Sequence, residues 1–108
     1  MKDQFIKKTT GMIAHSIEEL DASYEDLGIT FRRQTGKEVI TNSSSWASVA
    51  FKFQNKNRTS GLFDPPRAML ASFKSRDGMY RRFSYFNIRN KHEAEKICTF
   101  LRECFELE

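Results

Sequence analysis

The stretch Ala68–Ile88, AMLASFKSRDGMYRRFSYFNI, decides the fold because it sets two apolar segments on either side of a tight turn. Asp77-Gly78 is a strong signal for a two-residue hairpin, since both residues tolerate the positive φ angles that such a turn needs. The stretch therefore predicts two antiparallel strands. Side chains of an unbroken strand alternate between its faces. The two expected faces of the second strand are Met79, Arg81, Phe83 and Tyr85, assigned to the core side, and Tyr80, Arg82, Ser84 and Phe86.

Further strands are expected upstream of this hairpin. Residues 46–53, WASVAFKF, alternate between apolar and polar side chains and predict a strand. Residues 29–41 contain a shorter alternation, a turn signal at Thr35-Gly36 and a second apolar run, so we interpret them as the two short arms of a hairpin. The segment QNKNRTSGLFDPPR (54–67) has no period and predicts a long surface loop.

Two segments show the periodicity of an amphipathic helix. The first runs from about Gly11 to Leu27 and is followed by Gly28, as expected of a helix C-cap. The second covers residues 91–106, with Asn90 as N-cap and Glu93 in a capping-box position. The apolar stripes are Ile13, Ile17, Leu20, Tyr24 and Leu27 in the first helix, and Ala94, Ile97, Cys98, Leu101 and Phe105 in the second.

The element order α-β-β-β-β-β-α predicts one two-layer α+β domain over residues 1–108. We expect an antiparallel sheet of four or five strands flanked by the N-terminal and C-terminal helices, which would cover one of its faces. A chain of 108 residues leaves no room for a second core. The expected core residues are Ile13, Ile17, Leu20, Leu27, Phe31, Val49, Phe51, Phe73, Phe83, Ile97, Leu101 and Phe105.

Charge is distributed very unevenly along the chain. The net charge is +4, yet residues 28–91 carry thirteen Lys and Arg against three acids, whereas residues 1–27 and 92–108 each carry a net −3. The expected helices 11–27 and 91–106 are therefore acidic, and the sheet and loops of residues 28–90 are basic. Because helices and sheet would form separate layers, one side of the domain should attract polyanions.

Aromatic side chains among these cations favour nucleic acid as the partner. Bases of single-stranded nucleic acid stack on flat rings while arginines and lysines neutralise phosphates. The sequence thus predicts a non-enzymatic protein that binds single-stranded nucleic acid or structured RNA, either RNA or DNA. The alternatives are a basic face that docks on an acidic protein, and solvated arginines that only discourage edge pairing. The candidate binding residues are Arg32, Trp46, Lys52, Arg58, Lys74, Tyr80 and Arg82.

A competing hypothesis is a protein–protein interaction module, such as a dimerising adaptor or regulator. Its support is apolar side chains outside the main stripes, which could bind a protein partner or a second copy of the chain. Salt dependence separates the two hypotheses, because phosphate binding weakens steeply with ionic strength. The candidate interface residues are Phe100, Leu107, Leu62 and Phe63.

The sequence offers no pattern for catalysis, metal binding or a cofactor. His15 and His92 fall on different predicted helices, and no Cys/His spacing resembles a zinc site. Cys98 and Cys104 are separated by about 9 Å of helix rise, which is too far for a disulfide. No apolar run is long enough to span a membrane, and no signal peptide is recognisable, so we expect a cytoplasmic protein.

The segment from Ala68 to Glu103 is similar to the small Alu-domain subunits of the signal recognition particle. It contains a strand, Asp77-Gly78, a basic strand and a closing helix, and the resemblance implies a basic sheet that binds RNA. The segment VITNSSSWASVAF (39–51) does not fit that family. Double-stranded RNA-binding domains share a similar order, but the helix beginning NKHEAEK lacks the basic start that they use on phosphate.

Overall fold

The structure, a computed structural model, describes the backbone of residues 8–108 and the side chains from Met12 to Glu108. Antiparallel strands of one sheet precede a single helix in this part of the chain, and their order across the sheet is β1-β3-β4-β5-β6-β7-β2. The elements are β1 (Lys8–Gly11), β2 (Ile13–Ala14), β3 (Asp21–Asp26), β4 (Ile29–Asn42), β5 (Trp46–Asn55), β6 (Arg67–Arg76), β7 (Met79–Ile88) and α1 (Lys91–Phe105).

The N-terminal strands join the two sides of the sheet. β1 pairs with β3 at one edge, and β2, only two residues further along the chain, pairs with β7 at the other. A flat sheet could not bring these edges so close together, so the pairing requires the sheet to curl. The result is a half-barrel with one C-terminal helix.

The predicted N-terminal helix and the two-layer arrangement with flanking helices are wrong. Residues 11–27 form the end of β1, β2, a series of bends over residues 15–20, and β3. Ile17 and Leu20 are buried because the bends direct them inward, which reproduces a helix-like spacing without a helix. Gly28 is not a helix C-cap. Together with Leu27 it forms the tight turn between β3 and β4, where the two residues have φ angles of 53° and 79°.

The predicted hairpin at Thr35-Gly36 is also wrong, because residues 29–42 form the single strand β4. The register against β5 shifts between Gln34 and Gly36, so the glycine lies beside a β-bulge. A Cβ atom on Gly36 would lie 3.2 Å from the Cβ of Lys52. Glycine at this position therefore permits close approach of two strands where the sequence suggested a turn.

The second half of the chain confirms the local predictions made for it. Residues 46–53 lie within β5, and β6 and β7 pair across the Asp77-Gly78 turn, whose φ angles are 54° and 78°. α1 begins after Asn90, whose side-chain oxygen accepts a hydrogen bond of 2.9 Å from the Glu93 amide. Local turn and capping chemistry fixed these elements, and tertiary contacts did not override it.

The core lies on one face of the sheet, called the inner face below, and the opposite face is called the outer face. Residues 12–22 cross the inner face and bury the alternate side chains of β5 and β6. Of the expected core residues, Ile17, Leu20, Val49, Phe51 and Phe73 are buried, Phe31 and Ile97 are half-buried, and Ile13, Leu27, Phe83, Leu101 and Phe105 are exposed. The buried residues are Met12, Ala14, Ile17, Leu20, Ala22, Ala47, Val49, Phe51, Phe53, Met69, Ala71 and Phe73.

Lys37 anchors residues 17–20, which lie over the core, to the sheet. Its Nζ atom donates hydrogen bonds to the backbone carbonyls of Ile17, Glu18 and Leu20, at 2.6, 3.1 and 2.8 Å. Three donors on one ammonium satisfy three carbonyls that the bends leave outside any strand ladder. Lys37 thus stabilises the segment that covers the core.

α1 does not cover the sheet, contrary to the predicted layer of helices. No residue of this fully described helix is buried. The Cα radius of gyration is 15.8 Å, against about 13 Å for a compact domain of this length. The chain is also flat, with extents of 53 × 41 × 17 Å. The helix therefore projects from the half-barrel and contributes little to the core.

Replacing Phe51 by alanine is expected to lower the free energy of unfolding by about 3–5 kcal/mol, because it leaves a cavity between the sheet and its cover. Phe51 is 1% exposed and meets Phe73 edge-on, with ring centroids 6.1 Å apart. Denaturant titration followed by circular dichroism measures the loss. Leu62→Ala is the control, since Leu62 is 70% exposed and should change stability by less than about 0.5 kcal/mol. Equal effects would contradict the assigned core.

Lys37→Met keeps most of the aliphatic stem but removes the ammonium from three carbonyls. We expect a loss of about 1–3 kcal/mol, because the Glu18 and Leu20 carbonyls lose this partner while the Ile17 carbonyl keeps only the Leu20 amide. Lys52→Met is the matched control, because Lys52 is exposed on the outer face of β5. The same denaturant titration compares the two, and a Lys37→Met protein as stable as the control would show that the fastening role is wrong.

Candidate nucleic-acid interface

A β-bulge in β7 decides which of its side chains share a face. Across the pair with β6, Ser84 lies opposite Ser72 and Arg82 lies opposite Phe73, so Phe83 is the extra residue. An inserted residue shifts the alternation of the strand by one. The predicted core side of β7 is therefore wrong for residues 79–83, and the bulge restores the predicted faces for Ser84, Tyr85 and Phe86. The inner face carries Tyr80, Arg82, Tyr85 and Asn87, and the outer face carries Met79, Arg81, Phe83, Ser84 and Phe86.

Two aromatic rings lie together on the outer face. The rings of Trp46 and Phe83 meet edge-to-face, with centroids 5.0 Å apart and planes at 88°. Lys74 lies opposite Trp46 on one side and opposite Arg81 on the other. Its Nζ is 5.6 Å from the centroid of the Trp46 ring. Cross-strand pairing thus gathers side chains from β5, β6 and β7 into one cluster.

This outer cluster, defined as Trp46, Lys74, Arg76, Arg81 and Phe83, is open to solvent. Trp46 is 38% exposed and Phe83 67% exposed. Four of its members, all but Trp46, line a shallow cleft of about 280 Å³ together with the neighbouring arginine of β7. Within residues 12–108, none of its three cations has a carboxylate oxygen within 4.0 Å. The cluster therefore offers aromatic rings and unneutralised positive charge on one surface.

A second basic group lies on the inner face and is called the arginine cluster, comprising Arg32, Arg67 and Arg82. The guanidinium of Arg32 lies 4.9 Å from the centroid of the Phe53 ring, and its Nε donates to Asn55 Oδ1 at 3.1 Å. Burial, followed by the positive charges of Arg82 and Arg67, holds the pKa of Arg32 below its ordinary value. Charges that repel one another in a partly desolvated place favour an incoming anion.

Arg82 also contacts an aromatic ring on the inner face. Its guanidinium carbon is 4.0 Å from the centroid of the Tyr85 ring, and Tyr85 is 53% exposed. Arg82 follows Arg81 in the chain, yet the two side chains leave opposite faces of β7. Beyond Arg81, the second edge of β7 has no paired strand among residues 8–108. Positive charge is therefore available on both faces around this free edge.

The structure divides the seven residues predicted to bind nucleic acid. Trp46 and Lys74 meet in the outer cluster, and Lys52 lies farther along the same face. Arg32 and Arg82 meet in the arginine cluster. Their role in nucleic-acid binding stays a prediction.

The two remaining predicted residues are placed differently. The guanidinium of Arg58 lies 4.2 Å from the centroid of the Phe31 ring, at the long loop. Tyr80 is half-buried and packs against the core, so its ring is not an open stacking platform.

Sequence reasoning missed Phe83, Arg67, Arg76 and Arg81. Phe83 was assigned to the core side together with Met79 and Arg81, whereas the register places all three on the outer face. Arg81 could have been found, since a two-residue turn at Asp77-Gly78 fixes the register that sets it opposite Lys74.

The four residues predicted to form a protein interface are mostly exposed. Phe100, Leu107 and Leu62 are 67%, 58% and 70% exposed. Phe63 is half-buried instead, with the guanidinium of Arg33 3.9 Å from its ring centroid. Two of the four therefore lie at the C-terminal helix and two in the long loop.

Metal and membrane signals are lacking in the described part of the chain. No group of three or more His, Cys, Asp or Glu side chains there could hold a metal ion. Cys98 and Cys104 are exposed free thiols. Among the described residues, no helix has both the length and the apolar character needed to cross a membrane.

Comparison with models of known families, with curated proteins and with solved structures yields no match. Residues 68–103 do form two strands and a helix, but α1 does not pack over the sheet, and no helix precedes it within residues 8–90. The similarity to the Alu-domain subunits therefore ends at local element order and carries no functional conclusion. The function must be argued from the two basic clusters themselves.

The contact between Trp46 and Phe83 can be tested by fluorescence, since the chain contains one tryptophan. Phe83→Ala should shift the Trp46 emission to longer wavelength and raise its quenching by iodide, because the ring that shields the indole is lost. Phe86→Ala is the control, an exposed aromatic on the same face without a ring contact to Trp46. Emission that responds equally to both changes would place Phe83 elsewhere.

Proposed function

We propose that this protein is a non-enzymatic nucleic-acid-binding protein that binds unpaired bases, in single-stranded nucleic acid or in structured RNA, on its outer cluster. The observation that carries the proposal is an exposed aromatic pair, Trp46 and Phe83, surrounded by three cations that have no ion-pair partner among the described side chains. Aromatic rings beside unneutralised cations match a ligand with flat bases and a charged backbone.

The energetics favour an unpaired strand over a duplex. Stacking on an aromatic side chain contributes about 1–3 kcal/mol per base, and it requires a base whose face is free. Bases in a duplex are already stacked, and only their edges are presented in the grooves. Lys74, Arg76 and Arg81 would then contact phosphates on either side of the stacked base. These contacts give affinity with little sequence preference.

The arginine cluster supports the same proposal from the other face. Arg81 and Arg82 flank the edge of β7, which has no paired strand beyond this point in the described chain. A nucleic-acid strand whose bases stack on the outer cluster can cross this edge and bring its next phosphates to Arg82, Arg32 and Arg67. Burial, and after it the positive charges of Arg82 and Arg67, lowers the pKa of Arg32, and a phosphate bound there would offset both effects.

The proposal predicts different effects for a stacking residue and for a phosphate-binding residue. Trp46→Ala should weaken binding of a labelled single-stranded oligonucleotide about 5- to 150-fold, with little change in its salt dependence. Arg81→Gln should instead reduce the slope of log K against log salt by about 0.7 units, since one phosphate contact is lost. Fluorescence anisotropy at several salt concentrations measures both quantities for RNA and DNA.

Arg102→Gln is the matched control, an exposed arginine on α1 away from both basic clusters. It should bind like the unmodified protein. Quenching of Trp46 emission on saturation gives an independent readout of stacking. Failure of the unmodified protein to bind at about 50 mM salt, where phosphate contacts are strong, would contradict the proposal and favour an acidic protein as the partner. Tighter binding to a duplex than to a single strand would contradict the role of the outer cluster.

A further inference from the structure

α1 is amphipathic along its whole length, yet no side chain of its apolar half is fully buried in the described chain. At about 100° per residue, the apolar side chains of residues 94–107 occupy roughly half of the helix circumference. None of them is buried, and Phe100 and Phe105 are 67% and 66% exposed. The apolar half comprises Ala94, Ile97, Cys98, Phe100, Leu101, Cys104 and Phe105, and is continued by Leu107.

A groove adjoins this apolar half. It has a volume of about 550 Å³ and lies between the end of β7 and the first turns of α1. Its apolar wall includes Tyr85, Phe86 and Ile97, and its rim carries Lys96 and the ion pair of Arg89 with Glu93, at 2.7 Å. Tyr85 and Phe86 belong to β7, and Ile97 belongs to the apolar half of α1. The groove and this half of the helix therefore form one continuous surface.

The size of this surface matches one side of a protein interface. Isolated helices shorter than about 12–15 residues are marginal in water, and most helices depend on packing of their apolar face. Four exposed aromatic side chains, Tyr85, Phe86, Phe100 and Phe105, and two leucines offer roughly 400–700 Å² for burial. A stable interface buries about 800 Å² per partner. The apolar area of this surface is therefore slightly smaller than the area that one partner contributes to a stable interface.

Charge identifies a second copy of this chain as the occupant. The C-terminal half of α1 and the residues after it carry Glu103, Glu106 and Glu108, and residues 92–108 have a net charge of −3. The rim of the groove carries Arg89, Glu93 and Lys96. Glu93 neutralises Arg89 at 2.7 Å, so Lys96 is the cation that remains without a carboxylate partner among the described side chains. An acidic, apolar helix end thus complements a groove with an apolar wall and the ammonium of Lys96.

We propose that the protein forms a twofold-symmetric homodimer in which the C-terminal half of α1 of each copy lies in the groove between β7 and α1 of the other. A twofold axis satisfies both copies at once, because each contributes one helix end and one groove. The dimer would bury the apolar half of α1, Tyr85 and Phe86, which no element of the described chain covers.

The dimer leaves the outer cluster free, whereas it covers Tyr85, whose ring Arg82 of the arginine cluster contacts at 4.0 Å. The outer cluster lies near the turn end of β7, around Arg81, whereas the groove lies at its other end, around Asn87. Arg81 and Asn87 are about 20 Å apart along the strand, whereas the nearest members of the two sites, Phe83 and Tyr85, are about 7 Å apart. A dimer would therefore present two outer clusters to one nucleic-acid strand, which raises avidity when a linker of suitable length connects the bound segments.

Sedimentation velocity across a concentration series tests the proposal. The unmodified protein should sediment at twice the 12.6 kDa mass of one chain. Leu101→Asp should weaken dimerisation at least about 30-fold, since it places a charge in the centre of the buried surface. Thr99→Asp is the matched control, because Thr99 lies on the polar half of the same helix. Unchanged circular dichroism of the sheet and unchanged Trp46 emission show that the variants remain folded.

Thiol reactivity gives a second readout. Cys98 and Cys104 are exposed in one chain but lie on the apolar half of α1, so alkylation should be slow in the dimer and fast in Leu101→Asp. Lys96→Glu should weaken the dimer, and mixing it with Glu103→Lys should restore association. A monomeric unmodified protein, with or without protected thiols, would overturn the proposal. A Lys96→Glu protein that dimerises normally would overturn the docking of the helix in the groove.

Discussion

The pairing of residues 8–14 with both edges of the sheet is the constraint on which the rest of the structure depends. β1 and β2 are separated by one residue, yet they pair with β3 and β7, which terminate the sheet formed by residues 21–88. The sheet must curl to satisfy both pairings, and the segment that follows β2 must then cross its inner face. The core and the fastening role of Lys37 follow from this closure. The outer face of the sheet is exposed for the same reason, because residues 15–20 cover only the inner face.

Closure by so short a segment leaves part of β7 unpaired. β2 reaches only two residues of β7, and from Arg82 to Ile88 the strand has an open edge within the described chain. Both faces there are exposed, and aromatic side chains lie on each of them. Natural sheets protect such edges with charge, with a bulge or with a partner. β7 carries adjacent arginines and a bulge at its turn end, and we propose a partner at the other end.

The adjacent arginines of β7 also follow from this geometry. In a regular strand, Arg81 and Arg82 would place one guanidinium in the core, where an unpaired charge is costly. Here Arg82 emerges at the open part of the inner face, over the ring of Tyr85, and Arg81 stays on the outer face. The register set by the Asp77-Gly78 turn also places Phe83 on the outer face, beside Arg81. The bulge at Phe83 then changes the faces of the residues that follow it, so that Tyr85 lies on the inner face and Phe86 on the outer face.

Local chemistry, readable from the sequence, determined the second half of the chain. The Asp77-Gly78 turn, the alternation of residues 46–53, and the Asn90 cap with Glu93 each depend on residues close in sequence, so their structures were predictable. The concentration of positive charge in residues 28–91 was likewise a property of composition. These features were enough to predict an antiparallel sheet, a C-terminal helix and a basic surface.

Only the tertiary structure decided the first half of the chain and the membership of the candidate site. The spacing of Ile17 and Leu20 fits one face of a helix, and it also fits a bent segment whose side chains point into a core. The bent segment forms because the strands on either side of it pair with distant strands of the sheet. Gly36 and Phe83 lie at bulges, whose positions are set by register against a neighbouring strand and not by the residues themselves. A one-residue shift exchanges the faces of a strand. For that reason the sequence predicted which side chains carry charge and aromatic surface, whereas the fold decided which of them meet.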